Sequence, residues 1–456
     1  MQKTLVCWLA LIASMTSAIT LQADDFTPVV GWDQQLYPAL LISSATIKNP
    51  PWAELDQAEV LGDAGGLVGV RVISPGAKTT VKVTVTCDAI MEPSSFSGIM
   101  PQAKTEYAIL PKIKYLYNKL ADINQATPVS ITFKVEIGQA KPVEQTATVT
   151  VHSINDCPFI VQVGEQQLNI SHTFAAYVNE QHPYIDKLLR EALDDVVVDS
   201  FTGYQGDDGE VIRQVYALWD LLVQRDVRYS NITATSVESE SVASQHVRLI
   251  DQSLNNSQAN CVDGSVLLAS MLRKIGIEPF LVLVPGHCYV GFYLDQEQTK
   301  FMALETTLLG SVAAEGEEYE QSDLLEASVD EDKRGKDSWP SFCNAISTGS
   351  NHFEEVREKF SMPDETDYLL IDIAAARKLG VMSIAYRGKE AFKALERESA
   401  DTEVVETDAT LVDEVEVEVV EVDEVDVVEV DVVEVDDEDE EDDSEDSDDD
   451  DDDDDK

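Results

Sequence analysis

The sequence has few positive charges for its length. Its 456 residues include 32 Lys and Arg against 87 Asp and Glu, which gives a formal net charge of −55 at pH 7. Nucleic acids and anionic lipid surfaces repel a field of this sign, so neither is an expected partner. Much of the excess lies at the C-terminus, where residues 401–456 hold 33 Asp and Glu and one Lys.

The sequence also lacks a hydrophobic run long enough to cross a bilayer. Its longest early run, from Leu5 to Met15, is shorter than the roughly 20 apolar residues that a membrane helix needs. A preceding Lys and small residues up to Ala23 are typical of a secretory signal. We therefore predict a signal peptide at residues 1–23, export to the periplasm or the extracellular space, and no membrane insertion.

Cysteine is scarce, and Cys7 would leave with the signal peptide. Export permits disulfides, but the five remaining cysteines are an odd number, which leaves at least one thiol unpaired or bonded to another chain. Cys87 ends one predicted strand and Cys157 follows another, so we expect these two to form a disulfide. Their pairing is a hypothesis from position alone.

Residues 24–158 are predicted to form a β-rich, sandwich-like domain. Apolar and polar residues alternate in several stretches rich in Val, Ile and Thr, and Pro, Gly or Asp separate them, as in half-buried antiparallel strands. One helix is expected within residues 107–123. The strand-like stretches are "VGVRVISP", "TTVKVTVTCD", "VSITFKVEIG" and "QTATVTVHS".

The remainder of the chain changes to helical periodicity, with a helical connection at residues 159–205 and a second domain at 206–400. Helical patterns up to residue 276 precede three apolar, strand-like runs, which predicts an α+β domain. Residues 368–381 fit either a strand followed by a helical turn or a single helix. The runs are "FLVLV", "CYVGFYL" and "FMALETT".

The acidic C-terminal segment, residues 401–456, is predicted to be disordered. Its density of like charge opposes condensation at neutral pH. The simplest role is a solubilising tail. The alternative is weak Ca²⁺ binding by clustered carboxylates, although no spaced loop motif is present.

A cysteine stands at the first position of a predicted helix, in "NCVDGSVLLASMLRKIG" (residues 260–276). A helix N-terminus and a nearby imidazolium both favour a thiolate, which is the nucleophilic form of cysteine. The helix N–H groups would also stabilise an oxyanion. Cys261 is therefore a candidate nucleophile, and the alternatives are a buried structural thiol or a disulfide with Cys288 or Cys343.

His287 and Glu305 are candidate partners for this cysteine. His287 follows a Pro-Gly break between two predicted strands, and Glu305 is an isolated carboxylate in an apolar strand, where an unpaired charge is costly. A hairpin that places them directly opposite each other centres its turn on Gln296. Alternatively, His287 is a core histidine and Glu305 joins a different ion pair.

Other residues have weaker signals. The amide of Gln245 is a candidate oxyanion donor or a surface group, and His246 is a reserve histidine. Asp263 reads as an early-helix acid favoured by the helix dipole. Adjacent His287 and Cys288 lack the spaced partners of a metal site, so no metal and no cofactor are predicted.

Three stretches taken together resemble the transglutaminase-like branch of the papain-type cysteine enzymes. They are the helix start "NCVDGSVLLASMLRKIGIEP", then "VPGHCYVGFYL", then the carboxylate strand "FMALETT". The resemblance covers roughly residues 206–310. Two positions depart from the family pattern, because Glu305 stands where Asp is usual and Cys288 separates the histidine from the aromatic Tyr289.

The resemblance implies a papain-like core in which the helix that carries Cys261 packs on an antiparallel sheet. It also implies acyl transfer or hydrolysis on peptide or protein amides, with Cys261 as nucleophile, His287 as proton carrier and Glu305 orienting the ring. The alternative is a binding or scaffold protein that keeps this fold without its chemistry.

Overall fold

The structure, a computed structural model, describes residues 26–54, 58–164, 166–231, 239–311, 322–362, 365–388 and 391–395. These residues form a mixed α/β structure and belong to one compact unit, which ends at Glu396. The predicted signal peptide and the predicted acidic tail both lie outside the described residues. No helix of the described residues has both the length and the apolar character to cross a membrane.

The first half of this unit is mostly strand. In chain order its elements are β1 (Phe26–Val30), β2 (Gln35–Leu36), α1 (Pro38–Ser43), β3 (Glu59–Gly62), β4 (Val68–Ile73), β5 (Thr79–Cys87), β6 (Met91–Met100), β7 (Glu106–Leu110), β8 (Lys114–Tyr115), α2 (Tyr117–Ala121), β9 (Thr127–Ile137) and β10 (Val143–Val151). They form two sheets, with strand orders β1-β4-β7-β3 and β2-β10-β9-β5-β6-β8.

The two sheets share one apolar cluster. Val70 and Ile109 of the first sheet meet Val83 and Phe133 of the second in it. In β5 every second side chain is buried, which is the period of a strand with one covered face. The four stretches predicted as antiparallel strands lie in β4, β5, β9 and β10, and their long pairings are antiparallel. The short pairs β3–β7 and β2–β10 are parallel.

The helix expected within residues 107–123 is present but is only one short turn long. Residues up to Leu110 belong to strand β7, and only the five residues of α2 are helical. Pro111 accounts for the extended conformation of Leu110, since a proline disfavours the α conformation at the residue before it. Lys114 and Tyr115 are not helical because they form strand β8.

The second half brings helices and shorter sheets together. Its elements are β11 (Asp156–Val163), β12 (Gln166–Asn169), α3 (Pro183–Asp194), α4 (Asp208–Gln224), β13 (Arg228–Tyr229), β14 (Val242–His246), α5 (Ile250–Asn256), β15 (Gln258–Ala259), α6 (Cys261–Lys274), β16 (Pro279–Val284), β17 (His287–Tyr293), β18 (Phe301–Leu304), α7 (Asp323–Ser328), α8 (Ser338–Val356), β19 (Leu369–Asp372) and α9 (Ile373–Leu379). The ambiguous residues 368–381 thus contain a strand followed by a short helix.

An antiparallel sheet of order β18-β17-β16-β19 is the centre of this half. One face packs on α6, where Leu281 and Val290 meet Leu268. The other face packs on α8, where Val282 meets Phe353. Because both faces are covered, all six residues of β16 are buried, and its sequence is a continuous apolar run.

A three-stranded sheet of order β12-β11-β14 connects the two halves. β11 follows the N-terminal sheets along the chain and pairs with β14, which precedes the helix carrying Cys261. Tyr37 and Leu40 of the N-terminal half share an apolar cluster with Val161 and Val242 of these two strands. The domain boundary predicted at residue 158 therefore falls inside a strand.

Candidate active site

A network of capping interactions fixes the N-terminus of α6, where Cys261 is the first helical residue. The Asn260 side chain accepts a hydrogen bond from the Asp263 backbone N–H at 2.8 Å, and the Asp263 carboxylate accepts one from the Asn260 N–H at 2.9 Å. This reciprocal pair is a capping box. It holds the turn on both sides of Cys261.

Asp263 is also the buried partner of Arg248. Its carboxylate accepts hydrogen bonds from the Arg248 backbone N–H at 2.7 Å and from the guanidinium at 2.8 Å. Burial raises the pKa of Asp263, although these hydrogen bonds oppose the shift. Asp263 is therefore more than the dipole-favoured acid predicted from its position, because it ties the start of α6 to the segment that follows β14.

Cys261 is half-buried, whereas the other cysteines of the described residues are fully buried. Burial raises the pKa of the Cys343 thiol to about 12, and it raises the pKa values of Cys157 and Cys288 well above the ordinary value. These buried thiols are poor nucleophiles. Cys261 is thus the most solvent-accessible thiol of the described residues.

The predicted disulfide between Cys87 and Cys157 is absent, because every cysteine in the described residues is a free thiol. Cys87 lies in the core of the two N-terminal sheets, and Cys157 lies in the core of the second half. Two strands with separate cores do not bring their thiols together. The alternative of a disulfide from Cys261 to Cys288 or Cys343 is likewise not found.

His287 is the first residue of β17 and interacts with both candidate partners. Its Nε2 lies 2.6 Å from Oε2 of Glu305. Hydrogen bonds to Cys261 and to Glu305 raise the pKa of His287 from 6.5 to about 10, against the opposing effect of burial. The ring is therefore an imidazolium at neutral pH. Nε2 is engaged by Glu305, so Nδ1 is the nitrogen that can hydrogen-bond with the Cys261 thiol.

A tight turn sets the position of His287. Val284 pairs with His287 across the β16–β17 hairpin, which leaves only Pro285 and Gly286 between the strands. Gly286 has φ = 74°, the left-handed value required at the third position of a type II turn, and proline suits the second position. The Pro-Gly pair thus places the imidazole at the end of the sheet.

Glu305 is a buried carboxylate with both oxygens occupied. Oε2 meets His287, while Oε1 accepts hydrogen bonds from the Thr307 N–H at 3.0 Å and the Thr307 hydroxyl at 2.6 Å. Burial acts to raise the pKa of Glu305, but the hydrogen bonds and the charge of His287 lower it overall. The carboxylate is therefore ionised and fixed in orientation.

The predicted register of the β17–β18 hairpin is wrong by two residues, because each residue of β17 pairs with a residue two positions further along the chain than predicted. The observed pairs Val290–Leu304 and Tyr293–Phe301 centre the turn on Glu297 instead of Gln296. Asp295 explains the shift, because its carboxylate accepts hydrogen bonds from the backbone N–H groups of residues 299 and 300 and organises the loop.

The contact between His287 and Glu305 survives this shift. Side chains alternate between the two faces of a strand, so a two-residue shift returns each residue to the same face. The two residues meet diagonally instead of directly across the hairpin, and the 2.6 Å contact is kept.

Cys261 and His287 both line an open cleft of about 450 Å³. The remaining walls are largely apolar, with Phe159, Phe174 and Leu283 among them, and Gln245 on β14 contributes a polar group. The Gln245 amide donates a hydrogen bond to the carbonyl of its neighbour at 2.9 Å. Gln245 therefore lies in the cleft wall, with its amide engaged by the backbone.

His246, the reserve histidine, lies outside the Cys261–His287–Glu305 group. Its Nδ1 is 3.3 Å from the buried carboxylate of Asp156, which also lies 3.4 Å from Nδ1 of His152. These contacts join β14 to β11. His246 thus helps to hold the cleft wall that carries Gln245.

His352 on α8 is a neighbour of the site that the sequence did not predict. Its ring stacks on Tyr289 with centroids 5.1 Å apart, and on His287 at 6.1 Å. A ligand atom from each of His287, Glu305 and His352 lies within 4.8 Å of the others, the spacing of a potential metal site. The sequence of residues 311–400 has no clear pattern, and no local signal in it places His352 near β17.

The sequence matches no model of a known protein family, and no curated protein is significantly similar to it. The function is therefore inferred from the contacts of Cys261, His287 and Glu305 and from the cleft beside them.

Proposed function

We propose that the protein is a transglutaminase-like, papain-type cysteine enzyme that acts on peptide or protein amides. The observation that carries the proposal is one constellation: an accessible thiol at a helix N-terminus, an imidazole hydrogen-bonded to it, and a buried carboxylate 2.6 Å from that imidazole. Helix α6 packed on an antiparallel sheet supports the proposed papain-like core, and the cleft beside Cys261 supplies room for a substrate.

The reaction begins with attack of the Cys261 thiolate on the carbonyl carbon of an amide. The carbonyl π electrons move to oxygen, and the N–H groups at the start of α6 stabilise the resulting oxyanion. When the oxyanion collapses, the C–N bond breaks, and His287 transfers its Nδ1 proton to the leaving nitrogen. A thioester on Cys261 and a neutral imidazole remain.

The second half of the reaction regenerates the site. Water or an amine attacks the thioester carbonyl while His287 accepts a proton from it, and the C–S bond breaks to release the thiolate. Water gives hydrolysis, and an amine gives a new amide. Glu305 keeps Nε2 occupied throughout, so that Nδ1 stays directed at the sulfur.

The expected setting completes the proposal. Residues 1–23 direct export, and residues 24–158 position the substrate or a protein partner. The acidic segment 401–456 keeps the protein soluble or binds Ca²⁺ weakly. Each assignment comes from the sequence pattern.

The test is alkylation of Cys261 by iodoacetamide, followed by peptide mass spectrometry over a range of pH. We expect Cys261 to be labelled faster than an ordinary accessible thiol, because the His287 imidazolium lies beside it. In His287→Ala the rate should fall roughly 100-fold or more. Cys288 is the internal control, since it is buried beside the same histidine and should stay unlabelled in the folded protein.

A reactive Cys261 then leads to assays with peptide amides, with and without an added amine donor. A Cys261 that reacts no faster than an ordinary thiol, or equally fast without His287, contradicts the enzyme. The remaining interpretation would then be a binding or scaffold protein. The Gln245 amide agrees with this interpretation, because it donates to a backbone carbonyl and is not free to stabilise an oxyanion.

A further inference from the structure

We propose that His287, Glu305 and His352 bind a divalent transition-metal ion of the Zn²⁺ class, and that this ion switches off the thiol chemistry. The binding site is independent of the proposed function, whereas the inhibitory effect rests on it. The three ligand atoms lie within 4.8 Å of one another, and two of them are already in contact at 2.6 Å.

The third ligand is held near the other two by the docking of α8 on β18. Gly349, one turn before His352, lies so close to β18 that an added Cβ would be 2.8 Å from the Ala303 backbone. The hydroxyl of Ser350 lies 3.3 Å from both the N and the O of Ala303. The Glu305 N–H also donates to the Ala345 carbonyl of α8 at 2.9 Å. The site is thus assembled from packed elements.

The donor set selects the class of metal. Two imidazoles and one carboxylate, with a fourth position open, are a common environment for Zn²⁺, at ligand distances of about 2.0–2.2 Å. Small side-chain rotations would bring the three atoms to that distance. Ca²⁺ and Mg²⁺ prefer oxygen ligands, so they are poor competitors for this site.

The site is open to solvent on its histidine side. The His287 side chain is 25% exposed and His352 is half-buried, whereas the Glu305 side chain is 6% exposed. The hydroxyl of Tyr289 is buried and has no hydrogen-bond partner among the described residues. Its ring stacks on His352 with centroids 5.1 Å apart.

The inhibitory effect follows from the two nitrogens of one ring. Metal binding at Nε2 requires the proton between His287 and Glu305 to leave to solvent. The neutral, metal-bound ring keeps its remaining proton on Nδ1 and has no free nitrogen to accept another. Proton transfer between His287 and the attacking or leaving group then stops, and removal of the metal restores it.

The test is a Co²⁺ titration of the full chain in excess Ca²⁺, read by visible absorption. Tetrahedral Co²⁺ absorbs far more strongly than the six-coordinate, oxygen-bound Co²⁺ expected on acidic side chains, so the acidic segment does not mask the site. We expect one equivalent of the strong band. His352→Gln should weaken binding at least about tenfold, and His246→Gln is the matched control outside the site.

Cys261→Ser separates this site from a thiolate–imidazole site. The proposal requires Co²⁺ binding to be retained in Cys261→Ser, without a sulfur charge-transfer band in the wild type. Loss of the band in Cys261→Ser, no effect of His352→Gln, or no strong band at all would each overturn it. None of these readouts needs catalytic activity, so failure of the metal site and failure of the enzyme are distinguishable. If Cys261 proves reactive, Zn²⁺ should slow its alkylation in the wild type and much less in His352→Gln.

Discussion

At the scale of single residues, the ion pair between His287 and Glu305 shifts the pKa of each partner and is largely buried. Its charges are taken out of water, which is costly, but each partner is satisfied by hydrogen bonds. Thr307 occupies one carboxylate oxygen, and His287 occupies the other. The pair therefore affects the folding free energy as well as the state of the thiol.

The stability contributed by this pair depends on pH. The pKa of His287 is raised from 6.5 to about 10, so its contribution is complete below pH 6.5 and is lost as the pH rises to about 10. The pKa of Glu305 is lowered from 4.5, so its contribution is present above pH 4.5 and is lost in acid. Between these limits both contributions are complete.

We therefore expect the difference in unfolding free energy between the wild type and His287→Gln to be largest at about pH 4.5–6.5 and to shrink towards pH 10. Urea unfolding of both proteins across this range, with EDTA present, measures it. A difference that stays constant with pH would show that His287 does not gain its charge through folding.

At the scale of elements, the start of α6 depends on a buried ion pair that lies beside Cys261 but not in the cleft. Asp263→Asn would leave the Arg248 guanidinium without its charged partner and weaken the capping box. We expect a loss of about 3–5 kcal/mol in the free energy of unfolding. Urea unfolding at neutral pH is the measurement.

Asp186→Asn is the matched control for this change. Asp186 forms an ion pair with Lys274 at the other end of α6, at 2.7 Å, but its side chain is 66% exposed. An exposed pair of this kind contributes less than about 1 kcal/mol. Equal losses in the two variants would contradict the role assigned to Asp263.

The local sequence predicted the elements of the site better than their exact contacts. Asn260 and the apolar stripe after it predict where α6 begins, and Pro285-Gly286 predicts the break before His287, because caps and turns depend on neighbouring residues. The register of the next hairpin was missed by two residues, since it depends on side-chain hydrogen bonds of Asp295. The position of His352 depends on how α8 packs on a distant strand, which no local pattern records.

At the scale of the whole molecule, β11 joins the N-terminal sheets to the cleft. It pairs with β14, and Phe159 and Ile160 on it line the cleft beside Cys261. His152, at the end of the N-terminal sheets, is fully buried and stacks on Tyr37 at 4.1 Å. The two halves therefore share buried residues instead of meeting through a linker.

We expect the two halves to unfold together. In the double variant Trp32→Phe/Trp52→Phe, the tryptophans that remain in the described residues are Trp219 and Trp339, so their fluorescence follows unfolding of the second half. Far-ultraviolet circular dichroism follows unfolding of both halves. The two urea transitions should coincide, as they do for a cooperative unit. The reciprocal variant Trp219→Phe/Trp339→Phe is the control. Separate midpoints would indicate independent domains divided near residue 158.

The two-residue turn between β16 and β17 also determines which side chain meets Glu305. His287 and Cys288 are neighbours that face opposite sides of the strand, so a slip of one residue would exchange an imidazole for a thiol. Pro285 and Gly286 leave no spare residue to absorb such a slip. Deleting one residue in this turn would therefore place a thiol where the imidazole now lies, although no residue of β17 had been replaced.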